Sequence, residues 1–130
     1  MEAEPTVHIV DDDGAVRRSL ECVLHAAGFK SMAYETAVSF LDAAPGVSAG
    51  CVLLDVRMPE MGGLELQARL NRLGSPLPVI VMTGRGEVED AVRAMKAGAV
   101  DFIEKPFDDE RLLVAIGEAL GVSERSTRNR

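Results

Sequence analysis

Short β-rich apolar runs recur along this chain, each followed by a stretch of helical periodicity, and this alternation constrains the fold more than any other feature. The runs are Val7 to Val10, Ser31 to Tyr34, Cys51 to Leu54, Val79 to Met82 and Val100 to Ile103. The third and fourth are apolar throughout, which predicts strands buried on both faces. After the first run, Val16, Leu20, Val23, Leu24 and Ala27 repeat at helical spacing, and Gly28 is placed to end that helix. Weaker helical patterns cover Ala37 to Ala44, Leu64 to Leu73 and Val88 to Ala97. A stronger one runs from about Asp108 to Leu120, with Asp108, Asp109 and Glu110 at the positive end of its dipole. Parallel strands need crossovers and crossovers are right-handed, so the expected architecture is α/β: a doubly wound parallel sheet in the order 2-1-3-4-5, with helices on both faces.

The 130 residues, 47% of them hydrophobic, suffice for one autonomous core without a disulfide or metal staple. Residues 1–120 are expected to form that domain, and the polar stretch 121–130 reads as a tail or the start of an interdomain linker. Cys22 and Cys51 sit in apolar surroundings and are expected to be small buried thiols. A net charge of −7 argues against a phosphate backbone as partner, so direct nucleic-acid contact by this chain is not expected. The acidic N-terminus does not read as a secretory signal and no apolar run approaches a membrane span, which predicts a cytoplasmic protein with no membrane partner.

In such a sheet ligands bind beyond the carboxyl ends of the strands, so the residues following each run carry the information. Val10 leads into Asp11, Asp12 and Asp13, Leu54 into Asp55, Met82 into Thr83 and Gly84, and Ile103 into Glu104, Lys105 and Pro106. Three consecutive aspartates alone fit a solvated turn with a helix N-cap, and Thr83 or Lys105 alone is an ordinary strand or surface residue. Asp55 is harder to dismiss, because an isolated carboxylate ending an apolar strand is costly unless a cation or several donors meet it.

Together these residues converge on one rim. Asp11, Asp12 and Asp55 against Lys105 leave a charge of about −2, which a divalent cation would cancel. Oxygen-only ligands select a hard ion, and Mg²⁺ fits better than Ca²⁺. Zinc is disfavoured, since His8 and His25 read as structural residues of the sheet and first helix. Magnesium, a lysine, a hydroxyl and a strand-end carboxylate make a phosphoryl-transfer constellation in which Asp55 is the natural nucleophile. Gly84 would leave space for the incoming group.

The segments His8 to Asp13, Leu54 to Pro59, Gly62 to Glu65, Val81 to Gly84 and Phe102 to Phe107 resemble receiver domains of bacterial two-component response regulators. The resemblance covers about Thr6 to Leu120 and is nearest to the FixJ-like transcription factors, on Met82-Thr83-Gly84, Ala94 to Ala99 and Phe102 to Phe107. It implies a flavodoxin-like three-layer sandwich and a chain that is no enzyme, accepting a phosphoryl group from a sensor histidine kinase and assisting its own phosphorylation and dephosphorylation. It implies Asp55 as phospho-acceptor, Asp12 and Asp11 as carboxylate ligands of Mg²⁺ with a backbone carbonyl from Arg57, Lys105 as phosphate contact, and Pro106 after a cis peptide. Thr83 and Phe102 resemble a switch pair in which a new dianion draws the hydroxyl and the ring turns inward. Such regulators continue into a helix-turn-helix DNA-binding domain, which nothing after Gly121 could form, so the expectation is an isolated receiver, cut from or evolved without an output domain, or one whose output is a separate partner, with the linker-like composition of Ser123 to Arg130 favouring truncation.

Val88, Val92 and Met95 on the fourth helix lie near Phe102, with Arg93, Lys96, Glu89 and Asp101 as complementary charges. The resemblance implies a phosphorylation-dependent homodimer through this fourth-helix and fifth-strand face, although packing on the sheet explains the apolar residues equally well. Three other classes compete with this reading. A haloacid-dehalogenase-like phosphatase needs a second aspartate where Arg57 stands, and a flavodoxin-like electron carrier needs a hydroxyl-rich loop where Asp11 to Asp13 stand. A phosphorylation-independent interaction domain commonly loses an acidic or lysine position that this chain keeps.

Overall fold

The computed structural model of the protein describes residues 5–44 and 49–128. Its strands are β1 (Thr6–Val10), β2 (Lys30–Tyr34), β3 (Gly50–Asp55), β4 (Val79–Thr83) and β5 (Asp101–Glu104). The helices that alternate with them are α1 (Gly14–Ala26), α2 (Ala37–Ala43), α3 (Gly63–Arg72), α4 (Val88–Lys96) and α5 (Asp109–Arg128). All strand pairs are parallel and the order is β2-β1-β3-β4-β5. The expected topology is therefore the one observed.

Period-two alternation divides the sheet between two cores. Val7, Ile9, Cys51, Leu53, Ile80, Met82 and Ile103 face α1 and α5, where Leu20, Leu24, Leu112 and Ile116 close over them. Val10, Val52, Leu54, Val79 and Val81 face the other way, against Phe40, Leu66, Leu70 and Ala94 of α2, α3 and α4. Because β3 and β4 are central and covered on both sides, every residue of each is buried, which is why those two runs carry no polar alternation.

Local chemistry sets where the helices begin. Asp13 caps α1 by accepting from the Ala15 N–H at 2.9 Å, Thr36 caps α2 through the Ser39 N–H at 3.1 Å, and Asp108 accepts from the Arg111 N–H at 2.7 Å ahead of α5. Two expectations change. Cys51 is buried, but Cys22 is exposed, because it lies off the Leu20 and Leu24 stripe that α1 turns to the sheet. The last helix continues past Leu120 to Arg128, through the stretch expected as a tail. Gly121 costs a helix only about 1 kcal/mol, and no proline follows to stop it.

His8 is buried on β1 with its Nδ1 3.1 Å from the Tyr34 hydroxyl, and burial lowers its pKa, while His25 is exposed on α1. Neither is near enough to other donors to hold a metal, since the metal-competent group among the described residues contains aspartates alone.

Gly63 lets α3 start directly against the end of β3. A Cβ there would be driven into the Asp55 carbonyl oxygen and to 2.8 Å from Leu54 Cδ1. Gly63→Ala should therefore destabilise the fold by about 2 kcal/mol, whereas Gly117→Ala, which meets open space on α5, should stabilise it by about 0.5–1 kcal/mol. Urea denaturation of the two variants measures the contrast.

Candidate functional site

Parallel pairing brings all the strand carboxyl ends to one edge, and four of them deliver the polar residues singled out above. Asp11 follows β1 and is fully buried. Its Oδ1 accepts from the Asp13 N–H at 2.9 Å and its Oδ2 from Lys105 Nζ at 2.9 Å. Arg17 Nη1 donates to the Asp11 carbonyl at 2.7 Å, tying α1 to the same turn. Asp12 is exposed at the rim. The aspartate triplet thus divides its labour: Asp13 caps the helix while Asp11 and Asp12 enter the site.

Asp55 ends β3 and is 8% exposed. One carboxylate oxygen accepts from the Arg57 N–H at 3.4 Å, and the other lies 3.6 Å from Lys105 Nζ. Carboxylate oxygens of Asp11, Asp12 and Asp55 all lie within 4.8 Å of one another. Lys105 directly follows β5 and precedes a cis bond to Pro106, and its own N–H donates to the Thr83 carbonyl at 2.7 Å. Its ammonium is the cation that meets both buried carboxylates.

Burial pushes the Asp55 carboxyl up to about 6 from 3.8, with Lys105 opposing the rise and Asp11 and Asp12 adding to it. For Lys105, burial pulls downward, but the hydrogen bond from its ammonium to Asp11 and the charges of Asp55 and Asp11 outweigh it, so its pKa is raised. One ammonium is too little for three carboxylates. An all-oxygen donor set of this size and charge fits a hard divalent cation such as Mg²⁺, and has no sulfur or imidazole to favour a softer ion.

Thr83 and Phe102 flank the site from β4 and β5. The buried Thr83 hydroxyl donates to the Ile103 carbonyl at 3.5 Å, on the side of β5, leaving the carboxylates to Lys105 and the backbone. The Phe102 ring is 41% exposed and borders a groove of about 260 Å³ whose walls include Thr83, Ala91, Val92 and Met95. Val88, Val92 and Met95 are also exposed, so the expected apolar face between α4 and β5 is present at the surface. Of its expected charges, Asp101 is engaged within the chain by Arg111 at 3.1 Å.

The Arg57 side chain points away from Asp55 and pairs with Glu87 at 3.2 Å and Asp90 at 2.9 Å. Sequence reasoning did not find Glu87 or Asp90. The one signal was an acid opening a helix four residues after Thr83, opposite an arginine two residues after Asp55.

An acidic cluster with one lysine, at the switch point of a 2-1-3-4-5 sheet, defines a class, and comparison with known proteins agrees. The family model of the response regulator receiver domain matches residues 7–117, and the chain belongs to that family. Within it, this is a receiver domain of the FixJ-like kind. It is 46% identical over 129 residues to the transcriptional regulatory protein FixJ of Bradyrhizobium diazoefficiens, covering 99% of this chain and 63% of that protein. To FixJ of Rhizobium meliloti it is 51% identical over 114 residues, covering 88% of this chain and 56% of that protein. The crystal structure of FixJ-N superposes with a TM-score of 0.88 at 48% identity, covering 92% of this chain and 96% of that one. The chain thus spans less than two thirds of the length of these two curated relatives.

The raised Asp55 pKa has a sign. Between about pH 4 and 6 the folded chain holds the Asp55 proton more tightly than the unfolded chain, so this group lowers stability as pH rises, fully so above about 6. Without added metal, Asp55→Asn should gain about 2 kcal/mol near pH 7.5 and almost nothing near pH 4. Denaturation midpoints at several pH values give the difference, and Mg²⁺ should narrow it by stabilising the ionised wild type.

Proposed function

We propose that this chain is the phosphorylatable switch of a two-component response regulator, with Asp55 accepting a phosphoryl group from a phosphohistidine of a sensor histidine kinase. The observation that carries the reading is Lys105 Nζ lying 2.9 Å from Asp11 and 3.6 Å from Asp55, with the Asp12 carboxylate beside them. Asp11, Asp12, Asp55 and the Arg57 carbonyl would hold Mg²⁺, and when bound it would supply positive charge to the phosphoryl oxygens.

Asp55 is built to attack. Its position at the strand end exposes a carboxylate edge to an incoming phosphorus, and partial desolvation raises its basicity. A carboxylate oxygen forms the new O–P bond in line with the breaking P–N bond, and the kinase imidazole leaves with the electron pair. Lys105 lies within reach of the phosphoryl oxygens and offsets their charge. Thr83 can rotate its hydroxyl from the Ile103 carbonyl toward the new dianion, vacating the side of β5 toward which the Phe102 ring then turns. The groove beside Phe102 provides the room.

Inward rotation of Phe102 reshapes the α4 and β5 face, whose exposed Val88, Val92 and Met95 support a symmetric homodimer of phosphorylated chains. Residues 1–120 form the receiver, and 121–130 lead toward an output segment of a longer regulator. That segment, by likeness to relatives that are transcriptional regulatory proteins, binds DNA where this acidic chain does not. Likeness to relatives that are transcriptional regulatory proteins supports a cytoplasmic site of action.

Incubation with acetyl phosphate and Mg²⁺ should add one phosphoryl mass to the intact wild-type chain. Removing Mg²⁺ or substituting Asp55→Asn should abolish the gain, and Lys105→Ala should slow it by a factor of about a hundred or more. An undiminished gain on Asp55→Asn would overturn the assignment. Sedimentation of the phosphorylated chain tests the dimer: association should appear with the mass gain and be weakened by Val92→Glu.

A further inference from the structure

An ion-pair network ties the loops that follow β3 and β4 together. Arg57, on the loop after β3, reaches Glu87 and Asp90 at the start of α4. Glu87 uses its other oxygen, Oε1, to accept from the Gly84 N–H at 2.5 Å. That amide immediately follows Thr83, so a side-chain carboxylate already sits where the β4 end offers a donor to an anion.

The other end of α4 is held differently. Gln67 Nε2 donates to the Ala94 carbonyl and Asn71 Nδ2 to the Ala97 carbonyl, both at 2.9 Å from α3. Gln67 is buried, and both clamps are uncharged amides. A new charge nearby leaves such bonds almost untouched. The Arg57 pairs, by contrast, involve a side chain 69% exposed, and ion pairs this exposed are individually weak.

We propose that Glu87 is an internal stand-in for the phosphoryl group and that Arg57, Glu87 and Gly84 form a latch on the N-terminal end of α4. The inference rests on the assignment of Asp55 as phospho-acceptor. A dianion on Asp55 repels the Glu87 carboxylate, competes for the Arg57 guanidinium and takes over the Gly84 N–H. The start of α4 is released while Gln67 and Asn71 keep its end pinned to α3. The helix therefore pivots about its C-terminal turn, moving Val88 and Val92 more than Met95.

Residue-resolved amide exchange on the intact chain tests this, with Mg²⁺ present and before and after addition of acetyl phosphate, the intact mass being read on the same samples. Before the phosphodonor, Glu87→Ala should speed exchange at Gly84, Ala91 and Val92 about three- to fivefold and leave Gly98 and Ala99 unchanged. Arg57→Ala should speed Ala91 and Val92 but leave Gly84 protected, because the Glu87 oxygen remains on that amide. Phosphorylated wild type should match the Arg57→Ala pattern. Ala91 and Val92 exchanging alike in wild type and both variants, or unchanged by phosphorylation of the wild type, would overturn the latch. Absence of the mass gain would instead remove the phospho-acceptor assignment, and the latch with it, so the two failures are distinguished in one sample.

Discussion

Two carboxylates withdrawn from water and answered by a single ammonium set the terms for the rest of this molecule. Asp11 is fully buried and is tolerated because a backbone N–H and Lys105 both donate to it. Asp55 shares the same lysine at a longer distance and receives a weaker backbone contact. The inequality matters: Lys105 is spent mainly on Asp11, so Asp55 remains underneutralised, basic and open to an electrophile. A fully satisfied pair would be a structural ion pair and nothing more.

The sheet topology is what makes this crowding possible. Residues 11, 55 and 105 are far apart in the chain, yet parallel strands in the order 2-1-3-4-5 end side by side, with Asp55 in register beside Met82 and Thr83 beside Glu104. Gly63 contributes by letting α3 begin against the Asp55 carbonyl, which fixes the strand end that carries Asp55. The same edge adjoins α4, the helix whose N-terminus is held by charges and whose C-terminus is held by amides. A change of charge at Asp55 is thereby coupled to an element that can respond at one end only.

Much of this was legible in the residues because the governing signals are local. Continuous apolar runs marked β3 and β4, and the polar residues just beyond them marked the site edge, since strand direction alone decides where those side chains emerge. Phe102 was legible as a β5 aromatic, but its outward ring and adjoining groove depend on how α4 packs. Cys22 misled because neighbouring leucines do not say which way a helix turns, and the helix end expected at Leu120 misled because a polar sequence can extend a helix already nucleated by Leu112 and Ile116 against the sheet. Glu87 and Asp90 escaped because a pair formed across two loops leaves no periodic trace; it needs the fold before it can be read.

Asp55 is destabilised as an anion by burial and by its acidic neighbours, and a divalent cation would relieve this. A carboxyl-carbon NMR titration of Asp55, with and without Mg²⁺, measures it most directly. The midpoint should lie at about 6 in the metal-free protein and fall to or below the ordinary value of 3.8 when Mg²⁺ is saturating. A midpoint near 3.8 in both titrations would contradict it.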